Sequence, residues 1–353
     1  MKVVDADMCS ESSKPKVVIV NSPHPDWDYE RRELSELAEL RVAKCSSYEE
    51  LLSEAEDAEI IMVGDIAHIP LTEEILRRLP KLKLISVYGV GVDAIDLKAA
   101  AELGIIVANA PEYGVEDVAD HTLALLLSLL RRVPMLDREL RRVGWRDLRS
   151  DIEVIRKRFG ALRRISSLTI GLIGFGRIGR TVARRLRPFG CRILGYDPYV
   201  PDEMFKELSV ERVDLQELLS RSDVISIHVI LTEETYHLLD EGAFKLMKDG
   251  VLIVNTSRGA VIDERALINA LRSGKVLGAA LDVFEKEPLP ADSPLLEMQN
   301  VILTPHIGWY SEEAMAEQKR ETVLNVKAYL LGRNPPYAIN LNQIKESPKI
   351  VRV

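Results

Sequence analysis

Cysteine is scarce: Cys9, Cys45 and Cys191 are the only three in 353 residues, and they show neither paired nor metal-type spacing. An odd, scattered set excludes a disulfide framework and suits a reducing compartment. Long apolar runs are also absent. The longest, residues 123–130, falls far short of the roughly 20 residues that span a bilayer. Positive charge is not in excess, since 47 Lys and Arg face 55 Asp and Glu for a net charge of −8. That balance argues against a general polyanion binder, nucleic acid included. The first sixteen residues mix Asp5, Asp7, Glu11, Lys14 and Lys16 without an apolar core, so they read as neither signal peptide nor anchor. A soluble, cytoplasmic protein with no membrane and no nucleic-acid partner is expected. Glutamine is limited to Gln216, Gln299, Gln318 and Gln343 while Arg, Glu and Leu abound, a balance that can accompany thermophily. Neither internal repeats nor low-complexity tracts occur.

The length exceeds what one hydrophobic core usually serves, which points to two domains. From Lys16 onward, apolar runs at 17–20, 59–63, 82–87 and 105–107 alternate with helical pieces at 31–40, 48–55, 72–79 and 96–103. Runs this continuous do not suit strands with one wet face, so a parallel sheet covered on both sides is expected. A long apolar helix follows at 116–132, closed by two arginines and Pro134; it is expected to bridge domains or subunits. Residues 138–164 are Arg-rich, with Trp145 and Phe159 as their aromatics, and read as a solvated helical face or subunit contact. A second series brings strands at 169–173, 192–196, 224–228, 251–255, 277–281 and 301–303, a doubly wound pattern. Asp263 and Gly274 bracket one of its helices as N-cap and C-cap. A last long helix at 311–331 carries the chain out of this series, making the first domain discontinuous.

The second series opens on Gly174-Phe-Gly-Arg-Ile-Gly179, between the strand at 169–173 and a helix at 177–186. In that setting Gly174 permits the turn, Gly176 lets backbone approach a pyrophosphate and Gly179 lets helix and strand pack closely, while the helix N-terminus supplies donors. Asp197, at the end of the next strand, is the expected acceptor for ribose hydroxyls. Its charge would repel a 2′-phosphate, and Pro198 and Tyr199 offer no replacing cation, so NAD is expected rather than NADP.

Reducing a 2-oxo acid requires a hydride at the carbonyl carbon, a proton at its oxygen and a hold on the carboxylate. Arg258, in Asn-Thr-Ser-Arg-Gly at 255–259, follows a strand and can take a carboxylate bidentately. His306, in Thr-Pro-His, follows another strand and can donate a proton near neutral pH. Glu287 is the expected neighbour that steadies it. Asp282 is a candidate acceptor for the nicotinamide carboxamide. The remaining histidines, His24, His68, His121, His228 and His237, form no metal set, and hydride chemistry needs none.

Together with Tyr88-Gly-Val-Gly-Val-Asp-Ala-Ile-Asp96, Asn109-Ala-Pro111, the acidic end of Asn255–Glu264 and Gly278-Ala-Ala-Leu-Asp-Val-Phe-Glu-Lys-Glu-Pro288, these motifs resemble the D-isomer-specific 2-hydroxyacid dehydrogenase family over nearly the whole chain. The resemblance implies two doubly wound parallel-sheet α/β domains with an active-site cleft between them: a flavodoxin-like substrate domain at 16–114 plus 310–345, and a Rossmann NAD-binding domain at 115–309. A flexible N-terminus at 1–15 and a tail at 346–353 would flank them. It further implies Arg258 as carboxylate anchor, Glu287 as tuning acid and His306 as proton donor. The backbone of Gly89, Val90 and Gly91 would help hold the carboxylate. Gly174, Gly176, Arg177, Ile178, Gly179, Asp197, Val229, Thr235, Thr256, Ser257 and Asp282 would bind the cofactor, and no metal is implied. A small 2-oxo or 2-hydroxy acid substrate and a homodimer are expected. The segment from His306 to Ala314 is most similar to the C-terminal-binding-protein branch, whose members include NAD(H)-dependent corepressors; there Trp309 would border an apolar or thioether side chain. Val87, where that branch carries Arg, and Ile230, where many members carry Pro, depart from the pattern. An NAD(H)-sensing binding protein with little turnover is the alternative, and relatives acting on phosphite or formate share the cofactor machinery.

Overall fold

The computed structural model describes residues 14–64, 66, 68–145 and 152–344. The expected flexible N-terminus up to residue 13, Cys9 within it, the tail at 346–353, part of the Arg-rich stretch at 146–151 and the Phe159 side chain lie outside the described residues. The chain forms two compact units. One runs up to Tyr113 and resumes at Glu312; the other is Gly114–Ser311.

The first unit is built on strands β1 (Lys16–Val20), β2 (Glu39–Ala43), β3 (Ile60–Val63), β4 (Leu84–Val87) and β5 (Ile106–Ala108), all parallel in the order β2-β1-β3-β4-β5. Because β3, β4 and β5 are buried at every residue, both sheet faces need apolar cover. On one face Val18, Ile61 and Ile85 pack with Leu51, Leu52, Ile75 and Leu76 from the helices Tyr48–Ala55 and Glu73–Arg77. On the other, Val17, Ile19, Met62 and Leu84 pack with Leu34 and with Val323, Val326, Tyr329 and Leu330 of the helix Glu312–Leu330. The expected helix at 31–40 is corrected here: it spans Asp28–Leu34, and Leu40 belongs to β2. This strand lies at the sheet edge, where Glu39 and Arg41 sit more exposed than Ala43. Charge on an edge strand discourages further pairing and dilutes the apolar signal of the segment.

The second unit holds β6 (Thr169–Ile173), β7 (Arg192–Tyr196), β8 (Glu211–Arg212), β9 (Val224–Ile227), β10 (Val251–Asn255), β11 (Val276–Leu281) and β12 (Val301–Leu303), parallel in the order β12-β11-β10-β9-β6-β7-β8. The winding reverses between β6 and β9, the position at which open α/β sheets bind ligands. The two-residue β8 was not expected. The long helix is Val115–Arg131; Arg132 stops it in a left-handed conformation (φ 56°), and Pro134 opens the next helix, Val133–Val143, instead of merely ending the first. Leu125, Leu126 and Leu129 bury its apolar side against Ile170, Leu172, Val254 and Ala280. Asp263 caps the helix Glu264–Ser273 by accepting the Ala266 N–H at 3.0 Å, and Gly274 closes it in a left-handed conformation, φ 77°.

Candidate active site

Strand register brings the expected reacting residues to one edge. Asn255 stands beside Leu281, and Leu281 beside Leu303, so the segments after β10, β11 and β12 leave the sheet side by side. Asn255 shapes the first: its Oδ1 accepts the Ser257 N–H (3.0 Å) and hydroxyl (2.9 Å), while its Nδ2 donates to the Arg258 carbonyl at 2.9 Å. Arg258 Nη1 donates to the Ser257 carbonyl at 2.8 Å. A Cβ on Gly259 would lie 1.8 Å from the Phe284 carbonyl carbon. The turn after β10 and the loop after β11 therefore touch backbone to backbone, which only glycine permits.

The loop after β11 carries Glu287. Its Oε1 accepts the Phe284 N–H at 2.9 Å, and its Oε2 meets His306 Nδ1 at 2.7 Å. Burial pushes the Glu287 carboxyl up, but the His306 bond, the Phe284 N–H and the nearby His306 and Arg258 charges outweigh it and hold the group below the usual carboxylate range. Glu287 is thus kept ionised against His306.

His306 itself sits in a left-handed conformation, φ 52°, an arrangement that surrounding contacts must sustain. Asp282 supplies them. Its carbonyl accepts the His306 N–H at 2.8 Å; its Oδ1 accepts the Thr304 hydroxyl (2.6 Å) and the Ile307 N–H (3.0 Å); its Oδ2 accepts the Gly308 N–H (2.9 Å). Burial raises the Asp282 pKa, yet bonds from His121, Thr304, Ile307 and Gly308 leave it lowered on balance. Behind this loop His121 Nε2 lies 3.0 Å from Thr304 Oγ1 and 3.5 Å from Asp282 Oδ1. Trp309 Nε1 donates to the His306 carbonyl at 3.1 Å, so the indole belongs to the same loop.

Apart from Asp282, which follows β11, the expected cofactor residues gather at β6, β7, β9 and β10. Gly174 turns at φ 92°, and a Cβ there would lie 2.5 Å from the His228 carbonyl oxygen; one on Gly179 would lie 2.2 Å from the Gly174 oxygen. At Gly176, by contrast, an added Cβ would meet nothing within 4 Å, which leaves open the space before the N-terminus of the helix Arg177–Leu186. A pyrophosphate needs such a helix end with backbone in reach, so the residues fit a dinucleotide. Arg177 opens that helix and Ile178 packs on the core. Asp197 Oδ2 accepts the Phe175 N–H at 2.8 Å, tying the carboxylate to the glycine turn, and Oδ1 accepts the Tyr199 N–H at 2.9 Å. Val229 leaves β9 half-buried; Thr235 closes the following turn through the Ile230 carbonyl at 2.7 Å; Thr256 shares a 2.8 Å hydroxyl contact with Thr122. Gly89, Val90 and Gly91 follow β4 in the first unit.

Several contributors were not singled out from sequence: Asn255, which shapes the Arg258 turn, Thr304 and His121 behind His306, and Arg212, whose Nη2 donates to the Asp197 carbonyl at 3.0 Å. Thr304 lies in Thr-Pro-His and Asn255 in Asn-Thr-Ser-Arg-Gly, so position within those motifs was their available signal. His121 and Arg212 carried none, being remote in sequence from what they touch. Among the described residues no group of His, Cys, Asp and Glu could hold a metal ion.

A parallel sheet with this strand order, a glycine turn opening a helix and an acid at the next strand's end defines the class of dinucleotide-binding dehydrogenases. Residues 123–308 match the family model described as D-isomer specific 2-hydroxyacid dehydrogenase, NAD binding domain. The glyoxylate reductase of Korarchaeum cryptofilum is 41% identical over 279 residues, which is 79% of this chain and 82% of that protein. The D-3-phosphoglycerate dehydrogenase of Methanocaldococcus jannaschii is 40% identical over 332 residues, 94% of this chain; the chain spans 60% of that relative's length. A crystal structure of D-lactate dehydrogenase from Aquifex aeolicus, complexed with NAD and lactic acid, superimposes with a TM-score of 0.79 at 35% identity, covering 96% of this chain and all of that one. The chain belongs to the D-isomer-specific 2-hydroxyacid dehydrogenase family and binds NAD.

Proposed function

We propose that this protein is an NAD-dependent D-2-hydroxyacid dehydrogenase working as a 2-oxo acid reductase, with His306 as proton donor, Arg258 as carboxylate anchor and Glu287 as the acid that orients and tunes His306. The 2.7 Å contact between His306 Nδ1 and Glu287 Oε2 carries this reading. With Nδ1 committed to an ionised carboxylate, Nε2 is the nitrogen left to exchange a proton with a substrate oxygen. Bound NADH supplies the hydride for the carbonyl carbon. In reduction His306 Nε2 gives its proton to the ketone oxygen; in oxidation it takes that proton back. The Arg258 fork pairs with the substrate carboxylate and draws charge toward the oxygen that becomes the alcohol. The backbone at Gly89, Val90 and Gly91 shares the carboxylate.

The glyoxylate reductase relative makes glyoxylate the first substrate to try, ahead of pyruvate, hydroxypyruvate, phenylpyruvate and 4-methylthio-2-oxobutyrate; 3-phosphohydroxypyruvate enters through the phosphoglycerate relative. Trp309 is proposed to border the substrate side chain, the feature shared with the corepressor-like branch. A cytoplasmic homodimer without nucleic-acid or membrane partners completes the reading. No helix among the described residues is long and apolar enough to cross a membrane.

Following NADH absorbance against that panel tests the proposal. Turnover is expected with at least one acid, and it should fall at least about 1000-fold in His306→Ala and Arg258→Ala while NADH binding persists. Undiminished turnover in either variant would remove the assignment. NADH binding without turnover of any acid would instead favour an NAD(H)-sensing binding protein.

A further inference from the structure

We infer that Asn109 is a positioning residue whose carboxamide aims the backbone of the 89–91 loop at the substrate carboxylate. This rests on the role proposed above for that loop. It gives a function to the Asn109-Ala-Pro111 motif, which the reacting residues leave unused.

The loop has little apolar anchorage of its own. After β4 the Tyr88 N–H still bonds the Val63 carbonyl at 2.7 Å, but the Gly89 N–H folds back on Val87 at 2.9 Å and the chain leaves the sheet. Val90 is 39% exposed. The loop is instead tied by consecutive carbonyls: the Ala110 N–H donates to the Gly89 oxygen at 2.9 Å, and Asn109 Nδ2 donates to the Val90 oxygen at 2.9 Å.

Peptide planarity turns those two ties into an orientation. In a trans peptide the C=O and the next residue's N–H point in opposite directions. With the Gly89 and Val90 carbonyls drawn toward 109–110, the N–H groups of Val90 and Gly91 face away from that segment on the same side. Successive amides presented together form an anion-binding concavity, the shape a carboxylate requires. The Gly89 tie is main chain to main chain and survives any side-chain substitution at 109. The Val90 tie depends on Asn109 alone.

Asn109 is itself held firmly. It is 8% exposed; its N–H donates to the Tyr337 carbonyl at 3.2 Å and its carbonyl accepts Asn325 Nδ2 at 2.9 Å. Asn325, fully buried on the helix Glu312–Leu330, also takes the Tyr337 N–H on its Oδ1 at 3.2 Å. The donor facing Val90 thus stands on a fixed base, as positioning demands.

The test compares wild type, Asn109→Ala and Asn109→Asp by steady-state kinetics and by calorimetric binding of oxamate to the NADH-saturated protein. Asn109→Ala removes the tie, and Asn109→Asp, nearly the same shape, sets a carboxylate oxygen against the Val90 carbonyl. The KM for the 2-oxo acid and the oxamate Kd should rise together, about tenfold in Asn109→Ala and about 100-fold in Asn109→Asp, with kcat changing less than KM. A purely structural asparagine would lower the melting temperature and leave both constants in place; that result in Asn109→Ala, the milder change, overturns the inference even should Asn109→Asp not fold. Wild type that binds no oxamate overturns it as well. Undiminished turnover in His306→Ala sinks the proposed chemistry, and the oxamate comparison still decides the role of Asn109.

Discussion

Gly259→Ala should disable the enzyme without touching any group that reacts. The added Cβ would begin 1.8 Å from the Phe284 carbonyl carbon and 1.9 Å from its oxygen. Ordinary carbon–carbon contact is about 3.5 Å, so the Arg258 turn and the Phe284 loop must separate by more than about 1 Å. Both atoms met are backbone, so rotamer adjustment offers no relief. Phe284 donates the N–H that orients Glu287, and Glu287 orients His306; the shift therefore separates the carboxylate anchor from the proton donor. A misplacement of about 1 Å at a reacting centre lowers the rate about 100-fold, and overpacking of this kind costs roughly 1–3 kcal/mol of stability. The assay is kcat/KM for the best 2-oxo acid, with NADH affinity by fluorescence titration and a thermal melt in parallel. NADH affinity should change less than kcat/KM, because the glycine turn and Asp197 stand on β6 and β7 while only Thr256 and Ser257 follow β10. A folded Gly259→Ala protein with wild-type kcat/KM would refute the reasoning, since it would show that the apposition of these loops does not set the reacting geometry.

Two further outcomes follow from the titratable groups. Glu287→Gln keeps the shape and removes the charge opposite His306; a charge-assisted hydrogen bond is worth about 1.5–3 kcal/mol, so kcat for reduction should fall about 10–100-fold, and full activity in this variant would reduce the pair to a feature of the fold. His228 and His24 are held down to about 3 and about 4, chiefly by burial. A folded pKa below the unfolded value of 6.5 means that the unfolded chain binds the extra proton between them, so these groups let stability stand in full above about pH 6.5 and drain it as pH falls through that window. Urea midpoints measured from pH 7 to pH 4.5 should decline, and less steeply in His228→Asn; parallel declines would dismiss His228 as a source.

Much of the fold is legible because parallel strands buried on both faces are apolar at nearly every residue. Ile60–Val63 and Val251–Asn255 are buried throughout, and such runs stand out against helices bounded by caps such as Asp263 and Gly274. The edge strands β2 and β8 lack that signature. Glu39–Ala43 alternates exposure and Glu211–Arg212 is two exposed residues, so neither announces itself. At the candidate site, Glu287 and His306 can be suspected from their places after strands. Their contact, however, depends on three strands ending in register, with Gly259 admitting a neighbouring backbone. Asp282 shows the limit more sharply. An acid at a strand end suggests a ligand acceptor, and nothing in its neighbours says that both carboxylate oxygens bond the loop after His306. Nor does a chain position reveal that Asn109 reaches Val90.

The helix Glu312–Leu330 covers one face of the first unit's sheet with Val323, Val326, Tyr329 and Leu330. Four side chains of this kind each contribute on the order of 1.5–3 kcal/mol when buried, a share comparable to a domain's whole net stability. On the ribosome that helix is made after all of Gly114–Ser311. The second unit can complete itself while it emerges, as domains generally do, whereas the earlier-made strands must wait with Val17, Ile19, Met62 and Leu84 lacking the cover of that helix. The order of synthesis thus runs opposite to the order of completion, and in the interval between them that apolar surface is open to aggregation.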